Sequence, residues 1–166
     1  ASQSPLQIPL LIGIDAIHGN AQVAGCTVYP TSIGQASTFD PELVERICEE
    51  TAAEMRATGS QWTFNPNVEV ARDPRWGRVG ETFGEDPYLV SVMGAASVRG
   101  YQGRNFSEPG RVLSCVKHFV GGSQPVNGTN GSPTALSERM IREISFPPPV
   151  QSGHRRRSLL DDDRTQ

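Results

Sequence analysis

The sequence is almost without lysine: Lys117 stands alone among 15 basic residues, the other 14 being arginine. Codon composition is the simplest account of that bias, yet it leaves Lys117 conspicuous. Net positive charge is also lacking. A formal charge of -3 gives no general attraction to nucleic acid or to anionic membranes, so neither is expected as a partner. No apolar run approaches the roughly 20 residues that a bilayer span needs. The three cysteines, Cys26, Cys48 and Cys115, are odd in number and lack metal-type spacing, so they imply neither a zinc site nor a disulfide framework. Residue 1 is Ala, and no charged segment followed by an apolar one opens the chain; the expectation is a processed chain or a fragment. Sequons begin at Asn105, Asn127 and Asn130, but so short a motif arises by chance in Gly/Ser/Thr-rich loops and is not read as glycosylation.

What the chain does have is glycine and proline, 17 and 13 in 166 residues, and therefore many loops. Residues 6–14 form a continuous apolar run without helical periodicity, which predicts a strand buried on both faces, as in a parallel sheet. Asp40-Pro41 reads as N-cap and first helical residue, followed by an apolar stripe of Leu43, Val44, Ile47, Cys48, Ala52 and Met55, with Gly59 ending the helix. Residues 61–65 are a second strand candidate. Asp86-Pro87 repeats the cap and opens a helix to about Arg99, with Leu89, Val92, Met93 and Ala96 as its buried stripe. Residues 111–116 predict a third strand, 121–134 a loop and 137–143 a short helix. Strand, long loop and helix, repeated three times, indicate βα units on a parallel sheet. Every distinctive motif follows a strand, at the end where such folds place their sites.

The densest motif is Arg72-Asp73-Pro74-Arg75-Trp76-Gly77-Arg78, followed by Gly84-Glu85-Asp86-Pro87. Pro and Gly exclude a regular element here. Planar guanidinium donors beside an aromatic face suit an oxygen-rich ligand: a sugar, a phosphate or a nucleotide. Asp15 is either a turn-forming cap or a carboxylate for substrate hydroxyls. Lys117 and His118 leave a strand together, and both can donate hydrogen bonds to one ligand. Trp76 is either a stacking surface or a buried loop anchor. His18 and His118 lack the spacing and further ligands of a metal site.

Asp15-Ala16-Ile17-His18-Gly19, the Arg72 to Arg78 run, Gly84 to Pro87 and Lys117-His118-Phe119 together resemble the ordered signature of glycoside hydrolase family 3, in its β-glucosidase and exo-glucanase branch. The likeness runs from about residue 6 to 148. It implies an α/β fold, part of a (β/α)8 barrel of three to four βα units, because a closed barrel takes about 250 residues. It implies a β-glucosidase-type hydrolase that retains configuration, needs no cofactor, and takes a β-glucoside or β-glucan oligosaccharide as its partner. Asp15, Arg78, Lys117 and His118 match its glycone-binding positions, while His18 is expected behind them and Arg72 and Arg75 in carboxylate forks that pin the loop. The nucleophile and the acid/base fall outside these 166 residues, so no catalytic residue is expected here. A periplasmic or secreted setting also follows from the likeness.

The β-N-acetylhexosaminidase branch places a His in the loop after the Lys-His pair. This chain has none between Phe119 and Glu138. Residues 1–150 are thus expected to be a piece of the family's N-terminal barrel domain. Residues 151–166, a block of Arg and a block of Asp with little to bury, are expected to be a disordered tail that departs from the family pattern, as a frameshift would produce, with a genuine polar interaction tail as the alternative. A non-catalytic sugar-binding module is the rival reading. An anion-binding domain using the arginines is a weaker one, because no helical basic stripe supports it.

Overall fold

The computed structural model describes residues 8–105 and 107–148. The tail at 151–166 and the first residues of the opening apolar run lie outside the described residues. Three short strands, β1 (Gly13–Ile14), β2 (Trp62–Thr63) and β3 (Leu113–Ser114), form a parallel sheet in that order. Gly13 pairs with Trp62 and Trp62 with Leu113, so the three strands run level. Pairing of β2 with β3 continues beyond both strand ends. Lys117 N–H donates to Pro66 O (3.0 Å), and Val68 N–H donates to Lys117 O (2.8 Å). This extension holds residues 67–69 level with Lys117.

Helices connect the strands. A short α1 (Ser32–Ala36) precedes α2 (Pro41–Ala57), and α3 (Pro87–Gln102) links β2 to β3. The repeated Asp-Pro signal works as its chemistry requires. Asp40 Oδ1 accepts from Leu43 N–H (3.0 Å) and Asp86 Oδ1 from Leu89 N–H (2.7 Å), each satisfying an orphan donor of the first turn. Past α2, Gly59 takes φ +94° and releases the chain toward β2. Between β3 and the last helix the chain makes only a single helical turn, at Val126–Gly128. The final helix, α4 (Glu138–Met140), capped by Ser137 Oγ on Met140 N–H, runs directly into a wider turn at Ile141–Ser145.

The core lies between α2, α3 and one face of the sheet, around Val44, Cys48, Met55, Met93 and Tyr101. Tyr101 O–H donates to Ala16 O (2.9 Å) and accepts from Asn65 Nδ2 (2.8 Å), tying α3 to the chain just past β1 and β2. The two helices meet at Gly100, where a Cβ would sit 2.6 Å from Cys48 Cβ. Only glycine allows that approach.

Two expectations are corrected. The run at 6–14 is a strand only at Gly13–Ile14, and Ile8, Leu10, Leu11 and Ile12 are at least half exposed rather than buried on both faces. β1 is the sheet's edge, and no described segment of this chain covers its outer side. The second correction concerns α3, which reaches Gln102 and is buried nearly all round: every residue from Met93 to Val98 is buried, while Leu89 and Val92 are only half-buried. Small residues, Gly94-Ala95-Ala96-Ser97, let neighbours close on several sides at once. Ser97 satisfies its hydroxyl internally, donating to Met93 O (3.0 Å).

Candidate functional site

The carboxyl ends of the strands gather a compact polar cluster. Asp15 follows β1 directly. Glu69 sits on the extension of β2, Arg78 on the long loop beyond it, and Lys117 and His118 follow β3. Lys117 Nζ reaches over β2 to Asp15 Oδ1, a distance of 2.6 Å. His118 Nδ1 lies 2.7 Å from Glu69 Oε2, and Arg78 Nη2 lies 3.4 Å from His118 Nε2. The peptide bond between Lys117 and His118 is cis. Asp15 and His118 are open to solvent, whereas the Glu69 side chain is buried.

Arg78 is held by a two-pronged pair with Glu81, Nε to Oε1 at 2.9 Å and Nη2 to Oε2 at 2.7 Å, and its guanidinium lies 5.9 Å from the centre of the Trp76 ring. The Arg78 fork pulls the Glu81 carboxyl below its ordinary range, and Glu81 in turn raises Arg78. This pairing fixes the guanidinium plane before any ligand arrives. The four residues expected at the site, Asp15, Arg78, Lys117 and His118, are thus brought together at one end of the sheet. The cluster offers ammonium and guanidinium donors beside carboxylate and imidazole acceptors within a few ångströms, a lining suited to a polyhydroxylated molecule.

The surrounding residues take other parts. Trp76 is 2 % exposed and its Nε1–H donates to Asn130 Oδ1 (3.0 Å), so it anchors the loop and offers no open stacking face. Arg75 forks onto Asp73, whose carboxyl falls to about 2 through those hydrogen bonds. Arg72 is exposed and makes no ion pair among the described residues, so the expected second fork does not form. His18 makes no hydrogen bond to the cluster among the described residues. Its Nδ1 lies 3.0 Å from Tyr29 O, and it braces the loop whose Tyr29 hydroxyl donates to Glu50. Burial and Glu50 push that phenol to about 12. No group of three potential metal ligands exists among the described residues.

Glu69 is the residue that sequence reasoning passed over. Its signal was a carboxylate between Val68 and Val70, in a stretch that is otherwise apolar or amide-bearing. A separate groove of about 560 Å³ lies at the other end of the molecule, at the C-terminus of α3 and the approach to β3. Its arginines are mostly spent on carboxylates there, Arg99 on Glu45 and Arg111 on Glu49 and Glu108.

Comparison with known proteins identifies the family of the chain. The profile of the Glycosyl hydrolase family 3 N terminal domain matches residues 1–152. A β-xylosidase of Formosa agariphila is 43 % identical over 151 residues, covering 86 % of this chain and 21 % of that protein. A periplasmic β-glucosidase of Salmonella typhimurium is 37 % identical over 145 residues, covering 87 % and 18 %. Among solved structures, a mutant β-glucosidase of Listeria innocua in complex with laminaribiose superposes with a TM-score of 0.84 at 35 % identity, covering 92 % of this chain and 21 % of that one. The chain therefore spans about a fifth of the length of the relatives it matches. With the profile matched over nearly its whole length, and the four motifs in order on a parallel α/β sheet, the chain belongs to glycosyl hydrolase family 3 and corresponds to sequence of its N-terminal domain.

Proposed function

We propose that this chain forms part of the glycone subsite of a retaining, exo-acting β-glucosidase-type hydrolase, on a segment of a (β/α)8 barrel. The observation that carries the reading is the cluster itself: Asp15, Lys117, His118 and Arg78, from three successive strand ends, linked by contacts of 2.6 to 3.4 Å. In this reading, Lys117 and Arg78 donate to the hydroxyls of the non-reducing sugar and Asp15 accepts from them. Their contacts tighten as the ring flattens toward the oxocarbenium-like transition state.

Retaining hydrolysis needs two carboxyl groups about 5 to 5.5 Å apart, one to attack and one to protonate. The carboxylates at this cluster are already engaged, Asp15 with Lys117, Glu69 with His118 and Glu81 with Arg78. In this reading the nucleophile and acid/base lie in sequence outside these residues, as the resemblance to the family implies. Relatives named as β-glucosidase and β-xylosidase leave glucose and xylose as the sugars to compare. The periplasmic relative supports a periplasmic or secreted setting.

The test is a graft. Residues 8–148 replace the equivalent segment of the Listeria innocua β-glucosidase, and hydrolysis of aryl β-glucoside and β-xyloside is followed. The grafted enzyme is expected to turn over the glucoside, and Asp15→Ala in it to lower kcat/KM by about 100-fold or more, on the order of 3 kcal/mol of transition-state binding. An Asp15→Ala graft with parental kcat/KM removes Asp15 from the subsite. The 166-residue chain alone is expected to show no turnover.

A further inference from the structure

We propose that Glu69 is a positioning residue for His118: its buried carboxylate fixes the imidazole as the Nδ1–H tautomer, so that an acceptor, Nε2, faces the pocket. The functional half of the proposal rests on His118 being a sugar contact. The placement of the proton stands on geometry alone.

Two neighbours decide where that proton sits. A guanidinium has only donors, and Arg78 Nη2 is 3.4 Å from His118 Nε2. A proton on Nε2 would set donor against donor. Nε2 therefore presents its lone pair and the proton resides on Nδ1, 2.7 Å from Glu69 Oε2, an acceptor. The short Glu69 contact holds the proton, and the Arg78 contact agrees with it but at 3.4 Å is too weak to fix the tautomer alone.

Exposure separates the roles. The His118 side chain is 42 % exposed and a ligand can reach it; that of Glu69 is 3 % exposed and acts only through its neighbour. Glu69 is held from behind by its own N–H, which donates to Asn67 Oδ1 (3.0 Å). Its second oxygen, Oε1, is buried with no hydrogen-bond partner, and a Cβ at Gly122 would come within 2.8 Å of it. A buried carboxylate with one idle oxygen costs stability, which is explicable where the other oxygen has a task. The chemical consequence is that a sugar hydroxyl that displaces Arg78 from Nε2 must donate to His118. Lys117 and Arg78 supply donors, so His118 completes a pocket that serves a hydroxyl in both of its capacities.

The test uses 15N-histidine NMR of the whole chain near neutral pH, in solution or as a hydrated solid. His18 is the internal reference, because its Nδ1 faces the Tyr29 carbonyl and must carry the proton wherever the fold is intact. We expect His118 to show a protonated Nδ1 and an unprotonated Nε2. Glu69→Met, with the His18 signals unchanged, should let both tautomers appear. Glu69→Gln, whose amide oxygen still accepts, should keep the parental one. A protonated Nε2 in the parent chain overturns the proposal outright. So does an unchanged His118 in Glu69→Met with the His18 reference intact. In the grafted enzyme, Glu69→Met should lower kcat/KM by about tenfold and Glu69→Gln restore most of it. A tautomer change without that kinetic loss upholds the placement by Glu69 and overturns His118 as a sugar contact.

Discussion

Asp15 and Lys117 grip each other over the middle strand, and the asymmetry of their surroundings sets what a mutation does. The Lys117 side chain is mostly covered, whereas half of Asp15 remains open to water. An ion pair with one partner so exposed contributes little to stability, about 0–1 kcal/mol. Lys117→Met in the grafted enzyme is therefore expected to lower kcat/KM far more than it lowers the inactivation temperature; equal losses in both would mark the pair as structural. Arg78 and Glu81 allow a pH argument. The folded state depresses the Glu81 carboxyl through the Arg78 fork. The stability gained from the pair is present above the ordinary carboxylate range and is lost as pH falls through the lower, folded value. Carboxyl-resolved NMR titration should find Glu81 protonating below the usual range, and Arg78→Met should return it upward. A Glu81 that titrates identically in both proteins would mean the fork does not persist in solution.

At the scale of elements, the packing of α2 on α3 forms the core of this segment. Gly100 is its closest point. Gly100→Ala places a methyl against Cys48 and the Glu45 carbonyl, and must push the helices apart. Overpacking of that kind costs about 1–3 kcal/mol. The cap at Asp40 is a smaller and independent contribution; Asp40→Ala removes the acceptor for Leu43 N–H and costs about 1 kcal/mol. Both variants should lower the thermal inactivation temperature of the grafted enzyme, Gly100→Ala by more, with KM unchanged because neither residue touches the cluster. A raised KM in Asp40→Ala would show that α2 reports directly to the site.

The molecule as a whole is an open sheet with uncovered apolar surface. Ile8, Leu10, Leu11 and Ile12 stand out in the segment that leads into the edge strand, and Phe119 and Phe146 make an exposed aromatic pair 5.5 Å apart in the chain beyond β3. Unpaired strand edges and apolar patches of this kind drive association. The isolated chain is expected to be insoluble or oligomeric, and to unfold without a sharp transition, in sedimentation and thermal melts. Replacing Leu10 and Leu11 by Lys should raise its solubility. A sharply melting monomer would instead favour a self-sufficient sugar-binding module.

Much of this was legible in the sequence because it is local chemistry. Asp-Pro pairs cap helices wherever a helix can follow, and the apolar stripe of α2 repeats at helical spacing, so both helices begin where the residues say. The four motifs pointed to the family and, through that resemblance, to Asp15, Arg78, Lys117 and His118, which meet because residues at strand ends reach one rim of a parallel sheet. The apolar run at 6–14 promised a buried strand, but hydrophobicity states only what a segment needs, and the described chain supplies nothing to cover it. Trp76 left two roles open that only its depth and its bond to Asn130 could separate. Glu69 was invisible for the same reason. Its partner lies 49 positions away, and only the pairing of β2 with β3 carries that carboxylate to the back of the imidazole. The sequence by itself determined the types of group and the local elements; tertiary structure decided which groups meet and where a proton sits, because distance and burial exist only in the folded chain.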